Sequence, residues 1–352
     1  MLETIREFAA EKLEQRADAA ALHRRHAEHF LVLAEDAHCT FDWVEHHPEL
    51  VRPDIDNVRS AIVWALAAED RELAVRIATA LEMFWTYTNP TEGMRWYEAV
   101  LDGSQDLPLA IQARAFLAYG AVANPGGDDA LAERMYRASL GAYEALGDDH
   151  GITEATMRLG VAAMYRDDLV GARDYAVKAL EMARRGGYQS AESLSLWAVG
   201  EVEWRLGNKS YGMELIGQSA DLAGEIGFAW QRSRMLRRLA DWAREHGRLA
   251  EARRDLEESL RLSHELGDRI SDVFALARLA RIEAERGELH RAGMFWGAVE
   301  AEEETGYLGA WYGERERFAE PLAAFAGPEF DAGREEGQRL SLDEAVRLGL
   351  EA

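Results

Sequence analysis

The chain has 352 residues, with 64 Asp and Glu against 40 Lys and Arg, which gives a formal net charge of -24. This charge repels phosphate backbones and argues against nucleic-acid binding by the chain itself. The single cysteine excludes an internal disulfide, and the longest apolar stretch, residues 61–68, is too short to cross a bilayer. We therefore expect a cytoplasmic protein.

The first residues, Met1 to Phe8, have the spacing of an amphipathic helix and lack the apolar core of a signal peptide. Three histidines follow, His23, His26 and His29. Their i, i+3, i+6 spacing cannot bring all three onto one metal ion, because a single helix favours i, i+4 pairs for that purpose. We interpret them as surface or capping residues and predict no metal site.

From residue 80 onward, small residues recur every 40 positions, which is typical of a repeat protein. One row comprises Ala80, Gly120, Gly160, Gly200, Ala240 and Ala280, and a second, twelve positions after members of the first, comprises Ala132, Ala172, Gly212, Ala252 and Ala292. Small residues in one register predict stacked helix pairs whose backbones approach closely.

Breaks in the apolar pattern follow the same step and divide each unit into two helices. The units end at Gly147, Gly187, Gly227 and Gly267, and the internal breaks are Gly127, Asp167, Gly207, Gly247 and Gly287. Glycine in the left-handed conformation is the usual helix terminator. Between the breaks, apolar or small residues keep i, i+3, i+4 spacing, as in Leu196, Val199 and Gly200, and no stretch alternates with period two. Each unit is therefore predicted to be helix A, a turn, helix B and a turn, without strands.

The last part of the chain is predicted to cover the open end of the array, as terminal units of solenoids must. Ser341 and Glu344 have the spacing of a capping box, which predicts a final helix from Leu342 to Leu348.

The repeated unit resembles the tetratricopeptide repeat. That family places Leu-Gly in helix A, Ala twelve residues later and another Ala seven after that, and here these are Leu159-Gly160, Ala172 and Ala179. The resemblance implies an all-α fold, a tetratricopeptide-like α-solenoid of about seven helical hairpins with a C-terminal helical cap.

Both ends of the chain carry a narrower resemblance. Segments 2–9, 25–30, 56–61 and 92–96, then 291–298, 330–337 and 340–346, resemble the C-terminal region of LuxR-type and SARP-type large ATP-binding regulators. These are STAND-class proteins with a signalling NTPase core, a winged helix and a tetratricopeptide array. The resemblance implies a remnant of a winged-helix or linker helix at 1–20, divergent repeats at 21–106, regular repeats at 107–306 and the cap at 307–352.

In tetratricopeptide proteins helix A forms the concave wall. The resemblance therefore implies which positions of helix A are exposed, and we locate them by counting from the Leu-Gly pair. The candidate binding residues are Met157, Val161, Met164, Tyr165, Trp197, Glu201, Trp204, Arg205, Arg234, Arg237, Asp241, Arg244, Phe274 and Arg281, with Glu154, Leu194, Glu245, Ala277 and Glu285 on the same face. Met and Trp offer contact area, and arginines offer forked donors for carboxylates or phosphates. The wall predicts a groove for an acidic amphipathic peptide or an anionic small molecule with an apolar body.

A second interpretation of these residues stays open. Trp197 and Trp204 at helical spacing are also typical of core packing between neighbouring A helices, and Arg234, Arg237 and Arg238 are typical of a solvated face paired with acidic neighbours.

Motifs of nucleotide and catalytic sites are missing from the sequence. There is no Gly-x-x-x-x-Gly-Lys-Ser/Thr loop, and Gly207-Asn208-Lys209-Ser210 lacks the spacing to cradle phosphates. There is no basic recognition helix, and no nucleophile stands in a pattern with an orienting base. We predict no enzymatic activity and no cofactor.

Two functions fit these observations. The first is a ligand-sensing or partner-sensing array of a STAND-type transcriptional regulator, which acts on its own upstream ATPase and winged-helix domains. The alternative is a free-standing scaffold for protein–protein interaction. Apolar groove surface could also be buried in a homodimer.

Overall fold

The computed structural model describes residues 8, 11–13, 15–40, 46–47, 50–306, 308 and 311–351. Within these ranges the regular structure is helical and contains no strand. The helices are α1 (Ala19–Asp36), α2 (Ile55–Ala67), α3 (Arg71–Ala80), α4 (Glu82–Thr88), α5 (Pro90–Leu101), α6 (Leu109–Ala123), α7 (Asp129–Leu146), α8 (Asp149–Tyr165), α9 (Leu169–Gly186), α10 (Gln189–Arg205), α11 (Lys209–Glu225), α12 (Ala229–Glu245), α13 (Leu249–Glu265), α14 (Arg269–Arg286), α15 (Leu289–Thr305), α16 (Trp311–Ala323), α17 (Pro328–Gly337) and α18 (Leu342–Leu350).

The regular repeats are the hairpins from α6/α7 to α14/α15, in which the even-numbered helix is helix A. The glycines that end the units, Gly147, Gly187, Gly227 and Gly267, have φ between +63° and +75°. The internal turns are left-handed as well, and at one of them Asp167, with φ +62°, takes the place of glycine. The predicted all-α solenoid is confirmed.

Helices A and B of a hairpin meet at the predicted small residues. In the α10/α11 hairpin, a Cβ atom on Gly200 would lie 2.7 Å from the carbonyl oxygen of Gly212, and one on Gly212 would lie 2.5 Å from that of Gly200. Backbone packs on backbone here, so no side chain fits between the helices. Gly217, also on α11, would have no atom within 4 Å of an added Cβ.

We expect Gly212→Ala to destabilise the protein by about 2 kcal/mol, because the two helices must move apart to admit the methyl group. Gly217→Ala is the matched control on the same helix, and it should raise stability by up to about 1 kcal/mol, since alanine favours the helix where there is space. Chemical denaturation followed by circular dichroism measures both. Equal midpoints for the two variants would contradict the close helix crossing.

The first helices contact the α12/α13 repeat across the superhelix, so that the array completes a turn on itself. The ring centroid of Tyr87 on α4 lies 5.9 Å from that of Trp230 on α12, and the rings of His46 and Phe228 are 6.0 Å apart. Phe228 and Trp230 are fully or almost fully buried. We call this contact the clasp; it comprises Cys39, His46, Met83, Tyr87, Phe228, Trp230 and Leu266.

The C-terminal helices α16 to α18 cover the end of the array, and α17 packs on α15 through glycines. A Cβ on Gly333 would lie 2.0 Å from the carbonyl oxygen of His290, and one on Gly297 would lie 2.1 Å from that of Arg334. A Cβ added to Gly293 or Gly337 would likewise lie 2.1 Å from a carbonyl oxygen of the facing helix. We call this contact, formed by Gly293, Gly297, Gly333 and Gly337, the glycine crossing.

The final helix begins as predicted. The Ser341 hydroxyl accepts a hydrogen bond from the Glu344 amide, and the Glu344 carboxylate accepts one from the Ser341 amide, which completes the capping box. The helix ends at Leu350 rather than at Leu348.

The predicted domain limit at 106/107 lies before α6, which begins at Leu109, and the limit at 306/307 lies after α15, which ends at Thr305, whereas the limit at 20/21 lies inside α1. The division into domains stays a prediction. Half of residues 1–20, which are interpreted as a remnant helix, lie outside the described residues, as does segment 2–9 apart from Phe8.

Candidate functional site

A cavity of about 420 Å³ lies on the concave side of the superhelix and is lined by α4, α6, α8, α10, α12 and α14. We call it the groove cavity. Seven of the predicted binding residues line it: Met157, Val161, Tyr165, Trp197, Arg234, Arg237 and Phe274. Helix A of four successive repeats supplies them, because the 40-residue step returns each to the same face.

Three other predicted residues, Asp241, Arg244 and Arg281, line a separate cavity of about 150 Å³ next to the cap. Asp241 pairs with Arg278 at 3.1 Å, and Glu285 pairs with Arg244 at 3.0 Å and with Arg281 at 2.8 Å. The charges of this part of the wall are therefore balanced by its own side chains.

The remaining four predicted residues, Met164, Glu201, Trp204 and Arg205, lie outside both cavities. Glu201 accepts hydrogen bonds from Arg205 and Arg238, and the Arg238 guanidinium carbon lies 4.2 Å from the ring centroid of Trp204. This cluster joins α10 to α12. It packs neighbouring A helices together, so these side chains are engaged within the wall.

The expectation of an exposed wall is wrong at several positions. Met157, Met164 and Arg237 are 2%, 3% and 9% exposed. The other buried positions of that face are Glu154, Val161, Leu194 and Ala277. The cause is the curvature of the array, in which successive A helices pack on one another and the clasp closes across them. Tyr165, at the rim, remains exposed.

Arg234 is held between two tryptophans. Its guanidinium carbon lies 4.7 Å from the ring centroid of Trp197 and 4.5 Å from that of Trp230. Stacking on indole faces stabilises a guanidinium while its N–H edge stays available. One N–H reaches the amide oxygen of Gln231 at 3.4 Å. Because Trp230 also belongs to the clasp, this stack connects the clasp to the groove cavity.

Arg237 is a buried cation whose hydrogen bonds go to hydroxyl groups. Nη1 donates to the Oγ atoms of Ser233 at 2.8 Å and Ser259 at 3.3 Å, and Nη2 donates to the Oγ of Ser271 at 3.2 Å. Burial lowers the pKa of Arg237 to about 10, and repulsion by Arg278 adds to the effect. Asp268 and Asp272 oppose this shift, but neither forms an ion pair with Arg237. Burial of a charge without a paired counter-ion is costly, so an anion in the cavity would stabilise this arrangement.

Arg158, which also lines the groove cavity, has acidic neighbours within the fold. Its Nη2 lies 3.6 Å from a Glu82 oxygen and 3.7 Å from a Glu154 oxygen, and Arg114 approaches Glu82 to 2.7 Å. Two arginines and two glutamates thus form a buried ion cluster. Its charges balance, which distinguishes Arg158 from Arg237.

Sequence reasoning missed several residues of the cavity wall. Trp230, Asp268 and Ser271 line the cavity together with Tyr87 and Arg158. Trp230 could have been found, because it precedes Arg234 by four positions on a predicted helix and so shares its face. Tyr87 could not, since it reaches the cavity only through closure of the clasp.

Within the described ranges, no three His, Cys, Asp or Glu side chains form a group that could hold a metal ion. The rings of His26 and His29 pack on Phe30 at 4.7 and 5.0 Å, and His23 stacks on Trp64 at 6.3 Å. No helix in the described part of the chain has the length and apolar character needed to cross a membrane.

No protein-family model and no curated protein matches the sequence. Solved structures do match the fold. The apo form of RapI aligns with a TM-score of 0.52 at 13% identity, over 90% of this chain and 85% of RapI. A Rap protein complexed with Competence and Sporulation Factor aligns with a TM-score of 0.52 at 12% identity, over 92% of this chain and 99% of the other.

A third similar structure is a STAND protein with a tetratricopeptide repeat sensor from Pyrococcus horikoshii. It aligns with a TM-score of 0.55 at 16% identity, over 99% of this chain and 56% of that protein. At these identities the likeness shows the fold alone. The chain is a tetratricopeptide-like α-solenoid.

Proposed function

We propose that the chain is the sensing array of a STAND-type transcriptional regulator of the LuxR or SARP type, non-catalytic and cytoplasmic, which binds a peptide or an anionic small molecule in the groove cavity. The observation that carries the proposal is the pair Arg234 and Arg237 on a wall of aromatic and methionine side chains, neither in an ion pair with a described carboxylate. The similarity in fold to a STAND protein with a tetratricopeptide sensor supports it.

Sensing requires that the ligand distinguish two arrangements of the array. The stack of Trp197, Arg234 and Trp230 belongs to the groove cavity, and Trp230 also packs on Tyr87 in the clasp. A ligand that contacts this stack therefore favours one arrangement of the first helices against α12. By linkage, an attached ATPase core responds to the same shift.

Thermal unfolding tests the site. A screen of acidic peptides, nucleotides and oligosaccharides should find a compound that stabilises the protein, by about 2.7 kcal/mol at a hundred times its dissociation constant. Trp197→Ala should abolish that stabilisation. Trp204→Ala, which removes a tryptophan of the same helix outside the groove cavity, should retain it. Equal losses in both variants would contradict binding in the groove cavity.

The alternative, a protein–protein scaffold, makes a different expectation. If the chain is a scaffold, we expect that no small ligand stabilises it and that a protein partner co-purifies with it in a stable complex. The assignment to a STAND-type regulator has a separate test. A gene that encodes no NTPase or winged helix beside this array would contradict that assignment, but it would not contradict ligand binding in the groove cavity.

A further inference from the structure

The repeats themselves show that helix A does not require an arginine at position 237. One and two periods earlier the equivalent residues are Trp197 and Met157, and one period later it is Ala277. All three are buried or half-buried on helix A. Neutral side chains of very different volume therefore satisfy the packing at this register. The positive charge of Arg237 is therefore not required by the packing of the repeats.

The serines around Arg237 belong to that packing. The Ser233 hydroxyl donates to the carbonyl oxygen of Ser259 at 3.1 Å, and the Ser259 hydroxyl donates to that of Ser233 at 2.9 Å. The same reciprocal pair joins Ser193 and Ser219 one repeat earlier, where Trp197 stands in place of the arginine. The Ser233 and Ser259 hydroxyl protons are both used in hydrogen bonds between the two helices. Their oxygens therefore accept hydrogen bonds from Arg237 but have no proton left to donate to a ligand.

Two N–H groups of Arg237 remain for a ligand. A guanidinium has five N–H donors, and three of them reach serine hydroxyls through Nη1 and Nη2. The N–H of Nε and the second N–H of Nη2 have no acceptor among the described residues. These neighbouring nitrogens form an edge from which a carboxylate accepts two hydrogen bonds. The buried Ser271 hydroxyl lines the same cavity and can add a third donor.

The charges of the cavity wall favour a monoanion. Arg234 and Arg237 face Asp268, while the charge of Arg158 is balanced within its own cluster. Among the residues that line the cavity, two cations against one carboxylate leave one positive charge in excess. Asp272 also acts on Arg237, but it does not line the cavity and is hydrogen-bonded to Ser263 and His264. A phosphate dianion would bring more negative charge than the wall offsets.

We infer that the groove cavity takes a ligand with a carboxylate on an apolar body, with the carboxylate on Arg237 and Ser271 and the apolar body against Met157, Trp197 and Phe274. The inference rests on the proposed function, since it names the chemistry of the ligand for the same cavity. The carboxylate can be the C-terminus of a peptide or belong to a free acid.

The first test compares acids with their amides. N-acetyl-Leu-Trp and 4-phenylbutyrate are measured by thermal unfolding against the same molecules with the carboxylate converted to a carboxamide. We expect an acid to raise the melting temperature and its amide to have no effect. Stabilisation by the dipeptide acid alone identifies a peptide C-terminus, and stabilisation by phenylbutyrate alone identifies a free acid. If neither acid stabilises the protein, the inference is wrong. If acid and amide stabilise it equally, the inference is wrong while groove binding stands.

The second test substitutes Arg237→Met, which places at 237 the residue found at 157. We expect this variant to unfold at no lower denaturant concentration than the wild type, because it loses a buried charge, and to bind the acid at least roughly tenfold more weakly. Arg254→Met is the control, since it removes the same charge from an exposed position on α13, and it should bind the acid normally. A large loss of stability in Arg237→Met would show that the arginine serves packing, and unchanged acid binding would place the anion elsewhere; either result overturns the inference.

Discussion

Gly333→Ala is expected to displace the C-terminal cap from the array and to destabilise the protein by about 3 kcal/mol or more. The added methyl group would lie 2.0 Å from the carbonyl oxygen of His290, and that oxygen belongs to the backbone of α15. A backbone cannot rotate aside as a flexible side chain can, so the two helices must separate. The cap then loses its contact with the last repeat and exposes the core beneath it.

Chemical denaturation measures this loss, and limited proteolysis between α15 and α16 reports release of the cap. Gly141→Ala is the control, because nothing lies within 4 Å of a Cβ added on that exposed face of α7; it should be neutral or slightly stabilising. If Gly333→Ala matched the control in both measurements, the glycine crossing would not be the contact that holds the cap.

Trp230→Ala is expected to open the clasp, with a cost in stability of about 3 to 5 kcal/mol. The tryptophan is 5% exposed and packs on Tyr87 and Phe228. Cys39, the single cysteine of the chain, is buried in the same contact. Its reaction with a thiol reagent under native conditions therefore reports opening, and the rate should rise at least roughly tenfold in the variant.

Trp242→Ala provides the matched control. Trp242 lies on the same helix, half-buried against His246 and away from the clasp. Its removal should lower stability while Cys39 stays protected at native denaturant concentrations. Faster labelling in both variants would mean that the thiol reports general loosening, and the clasp would not be a separate contact.

The fold could be predicted because each residue that determines helix packing or a turn acts within a short stretch of the sequence. Gly200 and Gly212 are small because two backbones meet there, and Gly187 and Gly227 sit where the backbone turns left-handed. Each constraint acts within a few residues or one hairpin, and the 40-residue step copies it along the chain. Helix identity, turn position and the capping box of α18 therefore followed from spacing alone.

The site could be predicted only in part, because burial on the concave wall depends on curvature. Spacing places Met164 and Tyr165 side by side near the end of α8, yet one is buried in the core and the other is exposed at the rim. The sequence alone does not distinguish Arg244 from Arg237. In the structure Arg244 forms an ion pair with Glu285 at 3.0 Å, whereas Arg237 donates hydrogen bonds to serine hydroxyls. Which carboxylate reaches which arginine is decided by contacts between repeats, which no local pattern records.

The clasp also constrains how this gene can change in length. Open solenoids gain or lose whole repeats readily, because each unit contacts only its neighbours. Here Tyr87 must meet Trp230 after a defined number of units, so deletion or duplication of one 40-residue unit between them would rotate Phe228 and Trp230 away from their partners. A change in the number of units in this part of the chain would therefore break the clasp, whereas a change after residue 268 would leave it in place.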